Sequence, residues 1–278
     1  MSLFCALIPA QGVYADDLDI TAPYIPSLLN LEYGIDSDKG RDVLLFASLM
    51  VTAEDRVSLT YGRRDETVSG TLEALNTQTY GAGYAFHSAK KFRIGVDFEH
   101  WGEENKITTD TLSVFLALDF RDLTFTVSPQ YRRIDVFVQA DCESQLDNTA
   151  IALDAKYFPN KKFALSAGYV TLDYSKDREA LLACAESQDI PLLVGRLKSV
   201  ADDKQILLGM NYFRNTESFG LDWARVESAI DGDISNIWTV YIATNRVDDW
   251  TIGLTAGTQE NYDDTTTDFV KVMLTYYW

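Results

Sequence analysis

Apolar and polar side chains alternate along nearly the whole chain from Leu29 onward, and this period of two constrains the fold more than any other feature. Val57, Leu59 and Tyr61 share one parity, while Arg56, Ser58, Thr60 and Gly62 share the other. Phe92, Ile94, Val96 and Phe98 alternate in the same way with Arg93, Gly95 and Asp97, and so do the residues of 122–128 and 250–257. Successive side chains of a strand point to opposite faces, so each segment makes one apolar and one polar face. Fourteen segments follow this rule, at 27–36, 41–53, 56–66, 78–88, 91–102, 107–120, 122–135, 148–158, 162–174, 204–214, 217–227, 235–246, 249–259 and 267–278. The fold class is therefore all-β and antiparallel.

The connections alternate too. Short ones fall at 54–55, 89–90, 121, 159–161, 215–216 and 247–248, and longer ones at 37–40, 67–77, 103–106, 136–147, 175–203, 228–234 and 260–266. Tight turns at one end and longer loops at the other are the pattern of a transmembrane β-barrel, with short periplasmic turns and longer outer loops. A soluble sandwich or barrel also alternates, with its apolar face turned inward. Three features favour the membrane reading. The polar face is rich in Gly, Ser, Thr and charged residues, as a wet lumen requires. Phe92, Tyr157, Phe163, Tyr212, Phe219, Trp250 and Trp278 stand near the ends of apolar faces, where interfacial girdles sit. The segments also match the roughly 9–11 tilted residues that cross a bilayer.

Composition removes several classes. No apolar run approaches the roughly 18–20 residues of a membrane-spanning helix. With 42 acidic against 24 basic side chains the formal charge is −18, which repels nucleic-acid phosphate. Three scattered cysteines and two histidines do not make a zinc framework, and no metal or cofactor site is expected. Residues 1–15 are uncharged with an apolar core and end Val13-Tyr14-Ala15, which reads as an export signal peptide. Residues 16–26 would then form an N-terminal periplasmic segment and 27–278 the barrel. Export leaves Cys142 and Cys184 in an oxidising compartment, in neighbouring outer loops. A disulfide between them is expected, and non-reducing mass spectrometry should then find neither thiol alkylatable.

The last eight residues run from Lys271 to Trp278. They resemble the terminal strand of Gram-negative outer-membrane β-barrel proteins, whose signal reads polar–x–Gly–x–x–aromatic–x–aromatic. Lys271 takes the polar position and Tyr276 and Trp278 the aromatic ones; Met273 stands where glycine is usual. The resemblance implies insertion by the barrel-assembly machinery into an outer membrane bearing lipopolysaccharide. Small monomeric porins of this length and strand number are the nearest type.

By parity, the inward set comprises Glu32, Asp36, Arg56, Arg64, Arg93, Asp97, Glu99, Asp119, Arg132, Asp154, Lys156, Asp222 and Lys271. Such residues set ion selectivity in a pore or pair across the lumen and fill it. The outer loops are acidic, carrying Glu103, Glu104, Asp141, Glu143, Asp147, Asp231, Asp233, Asp263 and Asp264, and a negative vestibule concentrates cations. Within 175–203, Arg178 to Glu186 is a strong helix former and Leu192, Leu193, Leu197 and Val200 recur at helical spacing. A loop of this kind can constrict a pore. Enzymatic barrels commonly move protons through a histidine. His87 stands beside a short turn, and His100 points outward with Glu99 on the opposite face, so no catalytic site is expected. The expected function is passive diffusion of ions or small hydrophilic solutes. The rivals are a closed or plugged barrel with a structural, adhesive or complex-forming role, and an enzyme.

Overall fold

A computed structural model describes residues 27–67, 74–88, 92–103, 107–137, 143–174, 201–229, 232–247, 249–262 and 265–278. The chain forms fourteen strands: β1 (Leu28–Asp36), β2 (Arg41–Met50), β3 (Asp55–Thr67), β4 (Ala74–His87), β5 (Phe92–Glu103), β6 (Ile107–Phe120), β7 (Leu123–Phe137), β8 (Glu143–Asn160), β9 (Phe163–Tyr174), β10 (Asp202–Arg214), β11 (Glu217–Ser228), β12 (Ile234–Val247), β13 (Trp250–Glu260) and β14 (Thr266–Tyr277). Each pairs antiparallel with its sequence neighbours, and β14 pairs with β1, so the sheet is a closed barrel. The expected signal peptide at 1–15, the N-terminal segment 16–26, most of the 175–203 loop, and Cys142 and Cys184 lie outside the described residues.

Sequence parity and strand faces agree. Large apolar side chains point away from the barrel and are exposed: Leu59 is 52% exposed, Val240 53% and Val272 48%. In water such a band would be a severe liability; against hydrocarbon it is the favourable surface. Aromatic side chains cluster where the band meets each interface. Near the tight turns, Phe163, Tyr212 and Phe219 lie side by side on β9, β10 and β11, with centroids 5.0 and 6.4 Å apart. Trp250, Tyr276 and Trp278 form a second such group, at 4.7 and 5.7 Å. The loop side has its own aromatic row, with Tyr61–Tyr80 at 5.5 Å and Trp223–Trp238 at 6.1 Å. Three tight turns hold a residue in the left-handed region: Arg121 (φ 29°), Asn215 (φ 46°) and Asp249 (φ 61°). Hairpins that match the twist of their strands require this conformation.

Strand boundaries differ most at the β7–β8 hairpin, which begins its return at Glu143 rather than 148. The apolar period fades there because the outward side chains turn polar while the backbone ladder continues. Tyr131 donates to Asp147 Oδ1 at 2.7 Å, and Arg133 Nη2 donates to Gln145 Oε1 at 2.7 Å. These pairs form part of a polar collar above the apolar band.

A charge in place of Leu59, Val96 or Leu254 is expected to destabilise the inserted barrel by about 2–4 kcal/mol near the bilayer midplane. A charge at Thr60 or Thr255, one residue along on the opposite face, is expected to leave assembly nearly unchanged. Heat-modifiable gel migration of the refolded variants compares the two sets.

Candidate pore interior

The opposite faces of the strands carry the charged side chains singled out by parity. Lys271, Arg64 and Arg93 have carboxylate partners at ion-pair distance. Lys271 Nζ on β14 lies 2.9 Å from Glu32 Oε1 on β1 and 3.1 Å from Asp42 Oδ2 on β2. Two strands away, Arg64 Nη2 meets Asp36 Oδ2 at 2.8 Å. The same carboxylate caps the β1–β2 turn through the backbone amides of Asp38 and Gly40. Arg93 Nη2 is 3.2 Å from Asp119 Oδ1, which also accepts from Thr124 at 2.7 Å. Arg56 donates to Ser48 Oγ at 2.7 Å. Arg132 is buried and interacts electrostatically with Glu99 and Asp202. Lys156 sits 5.3 Å from the centre of the Phe158 ring and is close enough to Asp222 for the two charges to interact.

Three carboxylates stand apart. Asp97 on β5, Asp154 on β8 and Asp222 on β11 have no ion-pair partner among the described residues. Each lies across the backbone of the glycine paired with it on an adjacent strand, Asp97 over Gly83, Asp154 over Gly168 and Asp222 over Gly209. A Cβ at any of these glycines would collide with the carboxylate oxygen. Aromatic side chains use the same device: Phe115 lies over Gly95, Tyr241 over Gly220 and Phe269 over Gly257, with the Tyr241 hydroxyl bonded to Asn211. Gly95 therefore differs from other positions of its parity. A side chain there would meet the Phe115 ring and, at 2.6 Å, the Tyr84 carbonyl oxygen.

Two further points depart from the sequence reading. Asp42 joins the Lys271 network although parity did not single it out, because Val43-Leu44-Leu45-Phe46 is apolar on both faces and hides the alternation. His100 has a partner: its Nδ1 lies 2.7 Å from Asp110 Oδ1, on the lipid-facing side near the loop end. Glu99 does face the other way, but the register places Asp110 directly across from His100. His87 lies at the tight-turn end of β4, paired with Arg93.

Replacing Lys271 with Met would leave Glu32 and Asp42 adjacent with no cation between them. A loss of about 3 kcal/mol is expected, as for one partner removed from a largely buried ion pair. Adding Glu32→Gln and Asp42→Asn should recover most of it. Denaturant unfolding from lipid vesicles measures both.

No family model matches this sequence, and no curated protein does. Solved structures do share its fold. The chain is similar to the CymD monoaromatic hydrocarbon channel, with a TM-score of 0.62 at 8% identity over 91% of this chain and 89% of that one. It is similar to a bacterial polysaccharide outer membrane secretin, with a TM-score of 0.56 at 10% identity over 92% of this chain and 100% of that one. The outer membrane protein Omp33 of Acinetobacter baumannii gives a TM-score of 0.52 at 8% identity, over 91% and 98%. At these identities the likeness is one of fold alone, a closed antiparallel β-barrel.

Proposed function

We propose that the chain is a passive diffusion channel for ions and small hydrophilic solutes in a bacterial outer membrane. One observation carries this reading. A single closed ring of strands presents most of its large apolar side chains outward and most of its charged ones on the opposite face. That is the arrangement of a pore, because a barrel stabilised by its own core would put the apolar face inside. The fold likeness to a hydrocarbon channel points the same way.

In this reading Glu32, Asp36, Arg56, Arg64, Arg93, Asp97, Glu99, Asp119, Arg132, Asp154, Lys156, Asp222 and Lys271 line the lumen. Selectivity then follows from which charges are left uncompensated. Lys271, Arg64 and Arg93 are matched by carboxylates, whereas Asp97, Asp154 and Asp222 occupy every third strand without a matching cation at ion-pair distance. Following the register around a tilted barrel brings these three to a similar height. An acidic ring of this kind favours cations. Tight turns on the periplasmic side, a signal peptide at 1–15, constriction by 175–203 and delivery through Lys271, Tyr276 and Trp278 to the barrel-assembly machinery complete the reading. Lipopolysaccharide would meet the polar collar, where Arg63, Arg133 and Lys204 stand among Asp65, Asp135 and Glu227.

Planar bilayers test the function. The purified protein is expected to give discrete conductance steps and a cation-side reversal potential in a KCl gradient. Joint replacement of Asp97, Asp154 and Asp222 by Asn should remove most of that preference. Absence of steps would mean a closed barrel, and anion preference in the wild type would mean that the inward arginines and Lys156 dominate.

A further inference from the structure

At the tight-turn end of the inner wall, basic side chains gather on neighbouring strands. His87 on β4 is the register partner of Arg93 on β5. Arg56 on β3 is the register partner of Ala85, two residues from His87 on the same face of β4. Arg56 and Arg93 therefore stand two strands apart, roughly 9–10 Å at the backbone, with the methyl of Ala85 and the ring of His87 between them. The imidazole lies close enough to both guanidiniums to feel their charges. Lys156 on β8 closes the row and also lies within range of Arg93. Water reaches this part of the wall. The side chains of Arg93 and Asp119 are 24% and 40% exposed although they face inward, and Arg56, Ala85, His87 and Lys156 are half-buried rather than sealed.

A guanidinium does not shed its proton, so Arg56 and Arg93 keep their charges and repel each other. Asp119 meets Arg93 Nη2 at 3.2 Å from the β6 side and also accepts from Thr124, so it offsets one of the two charges. Lys156 is within range of Asp222. Arg56 gives one N–H to the uncharged hydroxyl of Ser48. Positive charge therefore exceeds negative between β3 and β5 among the described residues. Arg93 also stands four residues nearer the tight turn than Asp97, so the wall is acidic at one level and basic at the next. A planar guanidinium presents parallel N–H donors that match the oxygens of a carboxylate or phosphate, and two of them on either side of a gap can close on one such group. We propose that Arg56 and Arg93, across Ala85 and His87, form a subsite for a small oxyanion, a solute bearing a carboxylate or phosphate group. It goes beyond the channel reading, because the subsite needs access from the tight-turn end and no path through the barrel.

Equilibrium dialysis of the full folded chain in detergent, with labelled phosphate and labelled acetate as probes and labelled glycerol as the uncharged control, is the test. At least one of the anions is expected to bind saturably and glycerol not at all, and the tighter anion identifies the preferred group. Arg56→Gln should weaken binding about tenfold or more. Arg93→Gln combined with Asp119→Asn removes the ion pair whole and leaves the net charge unchanged, yet it should weaken binding to a similar degree. Arg63→Gln, on the outer face of β3, lowers the charge by as much as Arg56→Gln and should change nothing. Heat-modifiable migration confirms that each variant is folded. The wild type alone gives a second readout: the bound anion should protect Arg56 and Arg93 from phenylglyoxal, as read by peptide mass spectrometry. Four results would overturn the proposal: no saturable anion binding, binding unchanged in Arg56→Gln, an equal loss in Arg63→Gln, or no protection of the two arginines. None of these requires current to flow, so failure of the subsite and failure of the channel reading are separable.

Discussion

The backbone hydrogen-bond ring governs the rest of this molecule. Hydrocarbon supplies no partner for an N–H or C=O group, so a sheet can cross a bilayer only when it has no free edge. The pairing of β14 with β1, nine register pairs from Leu28↔Tyr277 to Asp36↔Phe269, removes the last edge. Side chains are sorted after that demand is met. Of the two prolines within strands, Pro129 in β7 and Pro159 near the end of β8, the first shows how strong the demand is. Pro129 lacks an N–H, and the β6–β7 register is interrupted there, at Val114 and Phe115 against Ser128 and Pro129. The β7–β8 ladder continues through the same residue. The break is confined to one side of one strand.

Closure fixes the ring, and several inner side chains lie flat against it. Asp97, Asp154, Asp222, Phe115, Tyr241 and Phe269 each lie along the wall over a glycine of the adjacent strand, which gives them a flat seat. Charge follows the same economy. Lys271, Arg64 and Arg93 find carboxylates on adjacent or next-adjacent strands, which spares each the cost of an unpaired charge in a partly desolvated interior. In the proposed channel, Asp97, Asp154 and Asp222, which have no ion-pair partner among the described residues, would set the sign of the field that a passing ion meets.

The architecture was largely legible in the sequence because a strand with different media on its two faces must alternate. β5 and β13 show this plainly, and their limits were placed within a residue or so. β2 was less transparent. Val43 and Leu45 face outward to lipid while Leu44 and Phe46 face inward, so apolar residues on both faces concealed Asp42. Networks that cross the seam were out of reach. Lys271 and Glu32 are 239 residues apart, and nothing local couples them. The His100–Asp110 contact was accessible in principle, since the β5–β6 hairpin pairs residues whose numbers sum to a constant.

The seam also constrains how the barrel can form. A helical protein can build and keep local structure as it emerges, but here the two strands that complete the cylinder lie at opposite ends of the described chain. Until β14 reaches β1, every partial sheet has two open edges and an apolar face with nothing to cover it. Such intermediates invite pairing with other chains. The contacts that end this exposure have the greatest sequence separation in the molecule, and contacts of that kind form slowly. Such a chain therefore spends its most vulnerable period as a nearly finished sheet, and its safe arrival depends on keeping that sheet from meeting its own kind before the ring shuts.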